Sequence, residues 1–424
     1  MSIKLKLDEI SEELKTKIHN DLTITINSNK FAVKASERYV YAYEIVDEYI
    51  YIPFYYGINI FNKDKRPPRN NFTPLKISFK GTLRPEQEIV KKEAVDLLNK
   101  NSAVIISTYT GFGKTIGAID IAVSIKLKTL IVIKQLVLKE QWIESINKFC
   151  PDAIVKYFTP KSKDSDCDFG IMSAQNIQKL DRSFFKSFGT VIVDEVHTVM
   201  AESLSKSMYF LNPRYAIALS ATSYRPDAFD GLIDLVFGTK KVFRQLNRPY
   251  LVYKIDTGFK PIVELSQNGR INWGTLLDSQ ANSKERNELI IKIIKHFKER
   301  SFLVLTKRVE QAKYLNDRFI EEKELVTMMI GNKQTYDDTK RILIATYAKG
   351  GCGFDAPRYD TLLLAGDISE YFSQNLGRAL RRVDSSPIIF DLLDKNPILM
   401  KHFMTRVDVY KNSGGKIENL KIDF

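Results

Sequence analysis

The residues best suited to chemistry begin with a glycine-rich turn, Gly111-Phe112-Gly113-Lys114-Thr115. The turn follows the apolar run 103–106 and precedes a stretch with the character of a helix. A strand, a glycine-rich turn and a helix are the setting of a phosphate-binding loop, where backbone N–H groups converge on phosphate oxygens. There Lys114 would reach the β- and γ-phosphates, and the Thr115 hydroxyl would bind Mg²⁺. Thr108 stands where the strict pattern has its first glycine, so the segment taken alone also fits an ordinary turn.

A pair of adjacent carboxylates, Asp194 and Glu195, follows a second apolar run at 190–193. ATP hydrolysis needs one carboxylate to hold Mg²⁺ and another to orient and deprotonate the attacking water. Asp194 fits the first role and Glu195 the second. Such a pair alone is typical of a solvated strand end, but it gains weight about eighty residues after a phosphate loop.

Two arginines near the far end of the chain, Arg378 and Arg381, are three positions apart and would share one face of a helix. Guanidinium groups in a second domain suit an arginine finger that acts on the γ-phosphate. A basic helix that contacts a surface carboxylate or nucleic acid explains the same spacing equally well.

In their order, these segments resemble the motif set of superfamily 2 helicases and translocases. Gly111–Thr115 resembles motif I, Asp194–His197 motif II in its DExH form, Ser220–Thr222 motif III, 344–346 with 353–355 motif V, and 374–381 motif VI. The segment 79–87 resembles the adenine-reading element upstream of motif I, and 131–142 resembles motif Ia. The resemblance covers residues 79 to 392.

This resemblance implies ATP and Mg²⁺ as cofactors, bound between two RecA-like domains. The implied catalytic residues are Glu195, Lys114, Arg378 and Arg381, and the implied metal ligands are Thr115 and Asp194. The implied nucleotide-binding residues are Arg84, Gln87, Thr110, Gly111, Phe112, Gly113, Lys114, Thr115, Gly353, Asp355 and Gln374. Arg84 and Gln87 would frame the adenine, with Gln87 as the base contact.

The subfamily is indicated by departures from the DEAD-box pattern, since motif II reads DEVH and motif VI begins with Gln374. The run 220–227, followed by Phe237-Gly238, is similar to repair and phage recombination helicases, and the loop with the short N-terminal domain looks most like poxvirus-type transcript-release helicases. The resemblance implies a 3′→5′ DNA helicase or translocase in transcript release, transcription termination, recombination or repair. An ATP-gated nucleic-acid clamp without unwinding activity and an RNA helicase remain as alternatives.

The net charge and the cysteine and histidine content limit which binding partners and metal sites are expected. The 424 residues carry a net charge of +13, which favours a polyanionic partner such as nucleic acid, although a surplus of lysine for solubility gives the same sign. The expected partners are single-stranded, branched or duplex DNA, with RNA and the transcription machinery as further candidates. Three cysteines and four histidines are scattered, which argues against a disulfide framework or a cysteine-based zinc site.

The predicted fold class is α/β: two tandem RecA-like domains, each a parallel sheet with crossover helices, plus a small N-terminal α+β domain. The predicted boundaries are 1–80 for the N-terminal domain, 81–245 for the first RecA-like domain and 246–424 for the second. Apolar runs predict five strands in each large domain, and 239–283 is expected to be less regular. The tyrosine-rich N-terminal domain is either an accessory DNA-binding element or a domain whose tyrosines are half-buried strand residues.

The sequence contains no signal-peptide-like segment and no apolar stretch of membrane-spanning length. We therefore expect an intracellular, cytoplasmic monomer without a membrane partner. If the chain is viral, as the resemblance implies, the host-cell cytoplasm and the virion are its expected locations.

Overall fold

The computed structural model describes residues 1–27, 37–61, 66–134, 136–200, 206–220, 230–245, 247–266, 269, 271–331, 335–350, 358–368, 372, 376 and 386–420. The chain divides into two compact units. The first comprises residues 1–108 and 112–244, and the second comprises 109–111 and 245–424. None of the helices in these ranges is long and apolar enough to cross a membrane.

The N-terminal part of the first unit is small and antiparallel. Its elements are β1 (Ser2–Lys6), α1 (Glu12–Asp21), β2 (Thr23–Asn27), β3 (Glu37–Tyr41), β4 (Glu44–Val46), β5 (Tyr49–Pro53) and α2 (Phe54–Ile60). Strands β1, β5 and β4 form one sheet in that order, and β2 pairs with β3 as a separate hairpin.

This N-terminal part shares a hydrophobic core with the rest of the first unit. The Ser2 backbone N–H donates to the Leu211 carbonyl at 2.9 Å, and the Ser2 hydroxyl donates to the Tyr209 carbonyl at 3.0 Å. Ile3 and Phe54 are buried in one cluster with side chains of the large sheet. The first strand is therefore part of the packing of the unit that follows it.

The remainder of the first unit is a parallel α/β structure. Its elements are α3 (Pro85–Asn101), β6 (Ala103–Thr108), α4 (Lys114–Ile125), β7 (Thr129–Ile133), α5 (Val137–Phe149), β8 (Val155–Phe158), β9 (Phe169–Ser173), β10 (Thr190–Val193), α6 (Val196–Val199), β11 (Tyr215–Ser220), α7 (Asp230–Phe237) and β12 (Lys241–Arg244). Seven parallel strands lie in the order β12-β6-β11-β10-β7-β9-β8. Every residue of β6, β7, β9 and β10 is buried, as expected for strands covered by helices on both faces.

The strand order brings the candidate motifs together. Strands β6, β11 and β10 are consecutive neighbours, with Ser107 opposite Ser220 and Ala218 opposite Val193. Because the strands are parallel, the glycine-rich turn after β6, the end of β11 and the carboxylate pair after β10 meet at one edge of the sheet. On the other side of β10 lies β7, which leads into α5.

The second unit repeats this architecture. Its elements are β13 (Tyr250–Asp256), α8 (Trp273–Asn282), α9 (Lys284–His296), β14 (Phe302–Thr306), α10 (Val309–Glu321), β15 (Val326–Met329), β16 (Ile342–Thr346), α11 (Tyr347–Gly350), β17 (Thr361–Leu364), β18 (Ile388–Leu393), α12 (Pro397–Asn412) and β19 (Gly415–Asn419). Seven parallel strands lie in the order β15-β16-β14-β17-β18-β13-β19.

The predicted fold class is confirmed: two parallel α/β units and a small antiparallel N-terminal part. The segment 239–283, expected to be less regular and to join or begin the next unit, contains the start of the second unit's main stretch at 245, and its described residues between 257 and 272 form no helix or named strand, but it also contains β12, β13 and α8. Strand β12 is at the edge of its sheet and exposes two of its four residues, so it lacks the apolar run of a buried strand. Strand β13 has only three buried residues among its seven, which weakens the same signal.

Candidate nucleotide-binding site

The glycine-rich turn has the backbone conformation of a phosphate cradle. Gly111 and Gly113 have φ angles of 90° and 92°, in the left-handed region that residues with a Cβ seldom adopt. A Cβ on Gly113 would lie 2.4 Å from the Gln87 side-chain nitrogen. Helix α4 begins directly after the turn, at Lys114, so its N-terminal N–H groups add positive potential there. Glycine is required at position 113 for conformation and for space.

Thr108 does not disturb this turn, although the strict pattern has glycine at that position. It is the last residue of β6, so its backbone is extended and needs no glycine. Its carbonyl accepts a hydrogen bond from Lys114 Nζ at 3.1 Å. Lys114 and Thr115 form the first turn of α4, the place where the predicted phosphate and Mg²⁺ contacts require them.

The two residues predicted to contact the adenine also bind the backbone of the glycine-rich turn. Arg84 and Gln87 lie at the start of α3, and both side chains donate to the Phe112 carbonyl, Gln87 Nε2 at 2.8 Å. Gln87 Oε1 accepts from the Arg84 backbone N–H at 2.8 Å. An amide group has a second N–H hydrogen and a second lone pair, so Gln87 retains one donor and one acceptor position for a base.

Asp194 is buried at the end of β10 and accepts two hydrogen bonds. Its Oδ2 accepts from the Trp142 indole N–H, and its Oδ1 accepts from the Glu195 backbone N–H, each at 2.9 Å. Burial and, to a smaller extent, the neighbouring Glu195 carboxylate together raise the pKa of Asp194 to about 6, against the opposing effects of Trp142 and Lys114. A buried carboxylate whose ionised form is only partly compensated by its neighbours is stabilised further by a bound cation.

Trp142 is a site residue that motif reading alone did not reveal. The sequence marks it only as the end of the segment resembling motif Ia. The structure buries its side chain in α5 and directs the indole N–H at Asp194, fifty-two positions away in sequence. The signal that could have found it is the order of the strands, since α5 follows β7 and β7 neighbours β10.

Glu195 has an unusual backbone and an unsatisfied side-chain oxygen. Its φ and ψ angles are 47° and 54°, a left-handed conformation that costs a non-glycine residue about 1 kcal/mol or more. Its Oε2 is buried and accepts no hydrogen bond from any residue that the structure describes. The described group that lies within ion-pair distance of this oxygen is the His197 imidazole, and a buried carboxylate oxygen that accepts no hydrogen bond can still take a proton from water.

His197 connects the carboxylate pair to the third motif. Its Nδ1 lies 3.2 Å from the Ser220 hydroxyl and 3.5 Å from Glu195 Oε2. Ser220 is the last residue of β11, the strand between β6 and β10. A displacement at the end of β11 would therefore move His197 and change its contact with Glu195.

The residues present fit a magnesium–nucleotide complex. In the described part of the chain, no three His, Cys, Asp or Glu side chains cluster into a metal site built from protein alone. Mg²⁺ is usually held by one or two carboxylates together with phosphate oxygens and water. Asp194, whose carboxylate lies close enough to Lys114 for the lysine to lower its pKa, could supply the protein carboxylate of that ligand set.

Five predicted site residues lie outside the described residues: Gly353, Asp355, Gln374, Arg378 and Arg381. The same holds for Ala221 and Thr222 of the third motif and for the segment 225–227. Their roles stay predictions. The structure brings together Arg84, Gln87, Phe112, Lys114, Asp194 and Glu195, all in the first unit.

The N-terminal tyrosines separate into two groups. Tyr51 is buried, and Tyr43, Tyr49, Tyr55 and Tyr56 are half-buried. Tyr39 and Tyr41 are each 50% exposed on β3, where Tyr41 stacks on His19. Most of the cluster thus serves packing, and only the hairpin presents aromatic surface to solvent.

Comparison with known proteins agrees with this geometry. Residues 80–225 match the family model described as "Type III restriction enzyme, res subunit". A protein named "Putative helicase 161L", from Invertebrate iridescent virus 6, is 42% identical over 449 residues and is covered, like this chain, over 100% of its length. The chain therefore belongs to the viral helicases of superfamily 2, which bind and hydrolyse ATP.

Two further comparisons are more distant. A "Putative ATP-dependent RNA helicase" of Acanthamoeba polyphaga mimivirus is 24% identical over 97% of this chain and 84% of its own length. A solved structure of S. cerevisiae Dbp5 bound to RNA and ADP BeF3 has a TM-score of 0.57 at 12% identity, and the match covers 80% of this chain and 94% of that one. The Dbp5 likeness identifies the two α/β units as RecA-like domains.

Proposed function

We propose that this helicase is a nucleic-acid-stimulated ATPase that translocates on DNA in the 3′→5′ direction and releases transcripts or remodels recombination and repair intermediates. The observation that carries the proposal is the cluster at the carboxyl edge of β6, β11 and β10, where Lys114, Asp194 and Glu195 lie together. DNA as substrate, the direction and the pathway rest on the DEVH motif and on the resemblance to transcript-release helicases.

Each of the site residues that the structure describes has a proposed role in ATP hydrolysis. The backbone N–H groups of the glycine-rich turn and the Lys114 ammonium would bind the phosphates, and Asp194 with Thr115 would hold Mg²⁺. The bound ion would neutralise charge on the phosphates during transfer. Glu195 Oε2 would accept the proton of the attacking water. Trp142 would fix the direction in which Asp194 presents its oxygens.

Several parts of the proposal lie outside the described residues. Arg378 and Arg381 are proposed to stabilise charge on the γ-phosphate, and Gly353, Asp355 and Gln374 to contact the nucleotide. The predicted division into domains 1–80, 81–245 and 246–424 is kept as part of the proposal. We also propose a monomer that acts in the cytoplasm of the infected cell, in contact with transcription machinery.

An RNA helicase is the second candidate, because the mimivirus relative carries that name. The DEVH motif and Gln374 argue against the DEAD-box group in particular, but they do not separate DNA from RNA as the strand that is bound. The third candidate is an ATP-gated clamp that binds nucleic acid without unwinding it. Unlike the other two candidates, it would not displace a strand from a duplex.

The test is steady-state ATP hydrolysis by the full chain at one fixed salt concentration, because affinity for nucleic acid depends on salt. The additions are none, single-stranded, duplex and branched DNA, and single-stranded RNA, with Lys114→Ala as the inactive control. Stimulation by DNA well above RNA supports the proposal. Equal or greater stimulation by RNA overturns the DNA assignment, and no stimulation overturns nucleic acid as the activator. Strand displacement then separates a helicase from a clamp.

A further inference from the structure

The second of the two tryptophans, Trp273, lies in the second unit as the first residue of α8. It is 38% exposed, and one face of its ring stacks on His402 with 5.5 Å between ring centroids and an interplanar angle of 16°. The other aromatic contacts of this unit are mostly between buried rings of the core. Trp273 therefore differs from them in presenting aromatic surface to solvent.

The ring behind Trp273 is held in place by buried charges. His402 Nδ1 lies 2.6 Å from Asp367 Oδ2, and Arg406 Nη1 donates to Asp367 Oδ1 at 3.2 Å. Arg406 is itself fixed by Asp391, which accepts from its Nε at 2.8 Å and from its Nη2 at 2.9 Å. His402 thus cannot turn away without disturbing a buried ion network, and the stacked pair is preorganised.

The position of this pair is also informative. Arg308 Nη2 donates to the carbonyl of Gly274, the residue after Trp273, at 3.2 Å. Arg308 follows β14, and Asp367 follows the neighbouring strand β17, so the pair lies at the carboxyl edge of the second sheet. Ligands of parallel α/β sheets bind at that edge.

We infer that Trp273 is a stacking platform for an unpaired base of single-stranded nucleic acid. This inference rests on the proposed function. Base stacking on an exposed aromatic ring accepts any base, because every base has a π face, which suits a translocating enzyme. Besides the contacts with phosphates, the nucleic acid would thus have one contact with a base, made by the second unit.

The surrounding charge favours this occupant. Lys307 and Lys401, the sequence neighbours of Arg308 and His402, are exposed. Of the acidic groups nearby, Asp278 pairs with Arg308 at 2.7 Å, Asp367 lies between His402 and Arg406, and Glu264 accepts a hydrogen bond from the Thr275 hydroxyl at 2.8 Å. A phosphate backbone beside the stacked base would meet exposed lysines, and the chain as a whole carries +13.

The test measures binding of two single-stranded probes by the full chain without ATP, at one fixed salt concentration. One probe is a short oligothymidylate, and the other is an oligomer of the same length that lacks bases. The variants are Trp273→Ala, Trp273→Phe and the matched control Leu325→Ala, whose side chain is 56% exposed next to the amino end of β15.

We expect Trp273→Ala to weaken oligothymidylate binding by about 5- to 100-fold, the range of one lost stacking contact. Trp273→Phe keeps a ring and should lose less, while Leu325→Ala should bind like the wild type. The probe without bases should bind Trp273→Ala and wild type equally. Indole fluorescence should be quenched by oligothymidylate, because Trp142 is buried and Trp273 is the exposed indole.

Three results overturn the inference. If the wild type binds oligothymidylate and Trp273→Ala binds it equally well, the platform is wrong while the proposed function stands. If Trp273→Ala loses equal affinity for both probes, the residue supports backbone contacts or the fold rather than a base. Absence of wild-type binding to either probe would overturn the proposed function together with the platform.

Discussion

The two units have the same kind of seven-stranded parallel sheet, yet their carboxyl edges are used differently. In the first unit, Asp194 is buried with a raised pKa and Glu195 Oε2 accepts no hydrogen bond from a described residue. In the second unit the edge carboxylates are paired: Asp391 and Asp367 share Arg406, with His402 also beside Asp367, and Asp394 pairs with Arg286.

The two units share a fold, so the difference in how their carboxylates are paired comes from the side chains and not from the fold. A carboxylate left partly unsatisfied weakens the folded state and is available to a cation or a proton, whereas a fully paired one is available to neither. We therefore expect catalysis at the edge whose carboxylates are partly unsatisfied and a rigid surface at the edge whose carboxylates are paired. The following changes test that contrast, from the largest expected effect to the smallest.

The largest effect is expected for Glu195→Gln. Glutamine keeps the size of the side chain but accepts no proton, so hydrolysis should fall about 10²- to 10⁴-fold while ATP still binds. Single-turnover hydrolysis and calorimetric ATP binding measure the two quantities separately. An unchanged rate would remove Glu195 as the base and leave the carboxyl edge of the first unit without a catalytic explanation.

Arg381→Ala tests whether the second unit contributes charge to the reaction. We expect hydrolysis to fall by about 100-fold or more with little change in ATP affinity, because a finger acts on the transition state. Arg382→Ala is the matched control, since it removes the neighbouring guanidinium, which on the helix predicted from the sequence would not share a face with Arg381. Arg378→Ala, measured in parallel, decides which arginine dominates. A defect confined to ATP affinity would contradict the finger role.

Arg406→Leu and Asp194→Asn test the contrast through stability. Arg406→Leu leaves Asp391 buried without its partner and should lower the free energy of unfolding by about 3–5 kcal/mol. Asp194→Asn removes a carboxylate that burial disfavours and should leave stability equal or higher by about 1 kcal/mol, while hydrolysis is lost. Urea denaturation near neutral pH without nucleotide measures both. Equal destabilisation by both variants would show that the two edges are alike.

The smallest effect is expected for Trp142→Phe. The ring is retained, but Asp194 loses the indole N–H, so the Mg²⁺ concentration for half-maximal hydrolysis should rise about tenfold. Phe149→Leu, on the same helix and stacked on Phe79, controls for altered packing. If Trp142→Phe and the wild type depend equally on Mg²⁺, Trp142 contributes only to packing and does not orient Asp194.

Sequence patterns predicted most of the architecture because buried parallel strands are continuous apolar runs. Strands such as 129–133 and 302–306 have the predicted bounds, and the motifs follow strands as expected. The bond between Trp142 and Asp194 was beyond prediction, because it depends on which strands are neighbours. The stack of Trp273 on His402 joins α8 to α12 across more than a hundred residues, and no local pattern encodes it.

The docking of Ser2 against Leu211 has a consequence for the way the chain acquires its structure. Strand β1 pairs along its whole length with β5, and its Ser2 also bonds to Leu211, 209 positions later, so this one backbone contact forms only after that later segment has left the ribosome. At 5–20 residues per second this delay is roughly 10–40 s. During that time Ile3 and Phe54 can pack only with other apolar side chains of the N-terminal part, such as Leu5 and Ile52, so their burial against the large sheet is completed late.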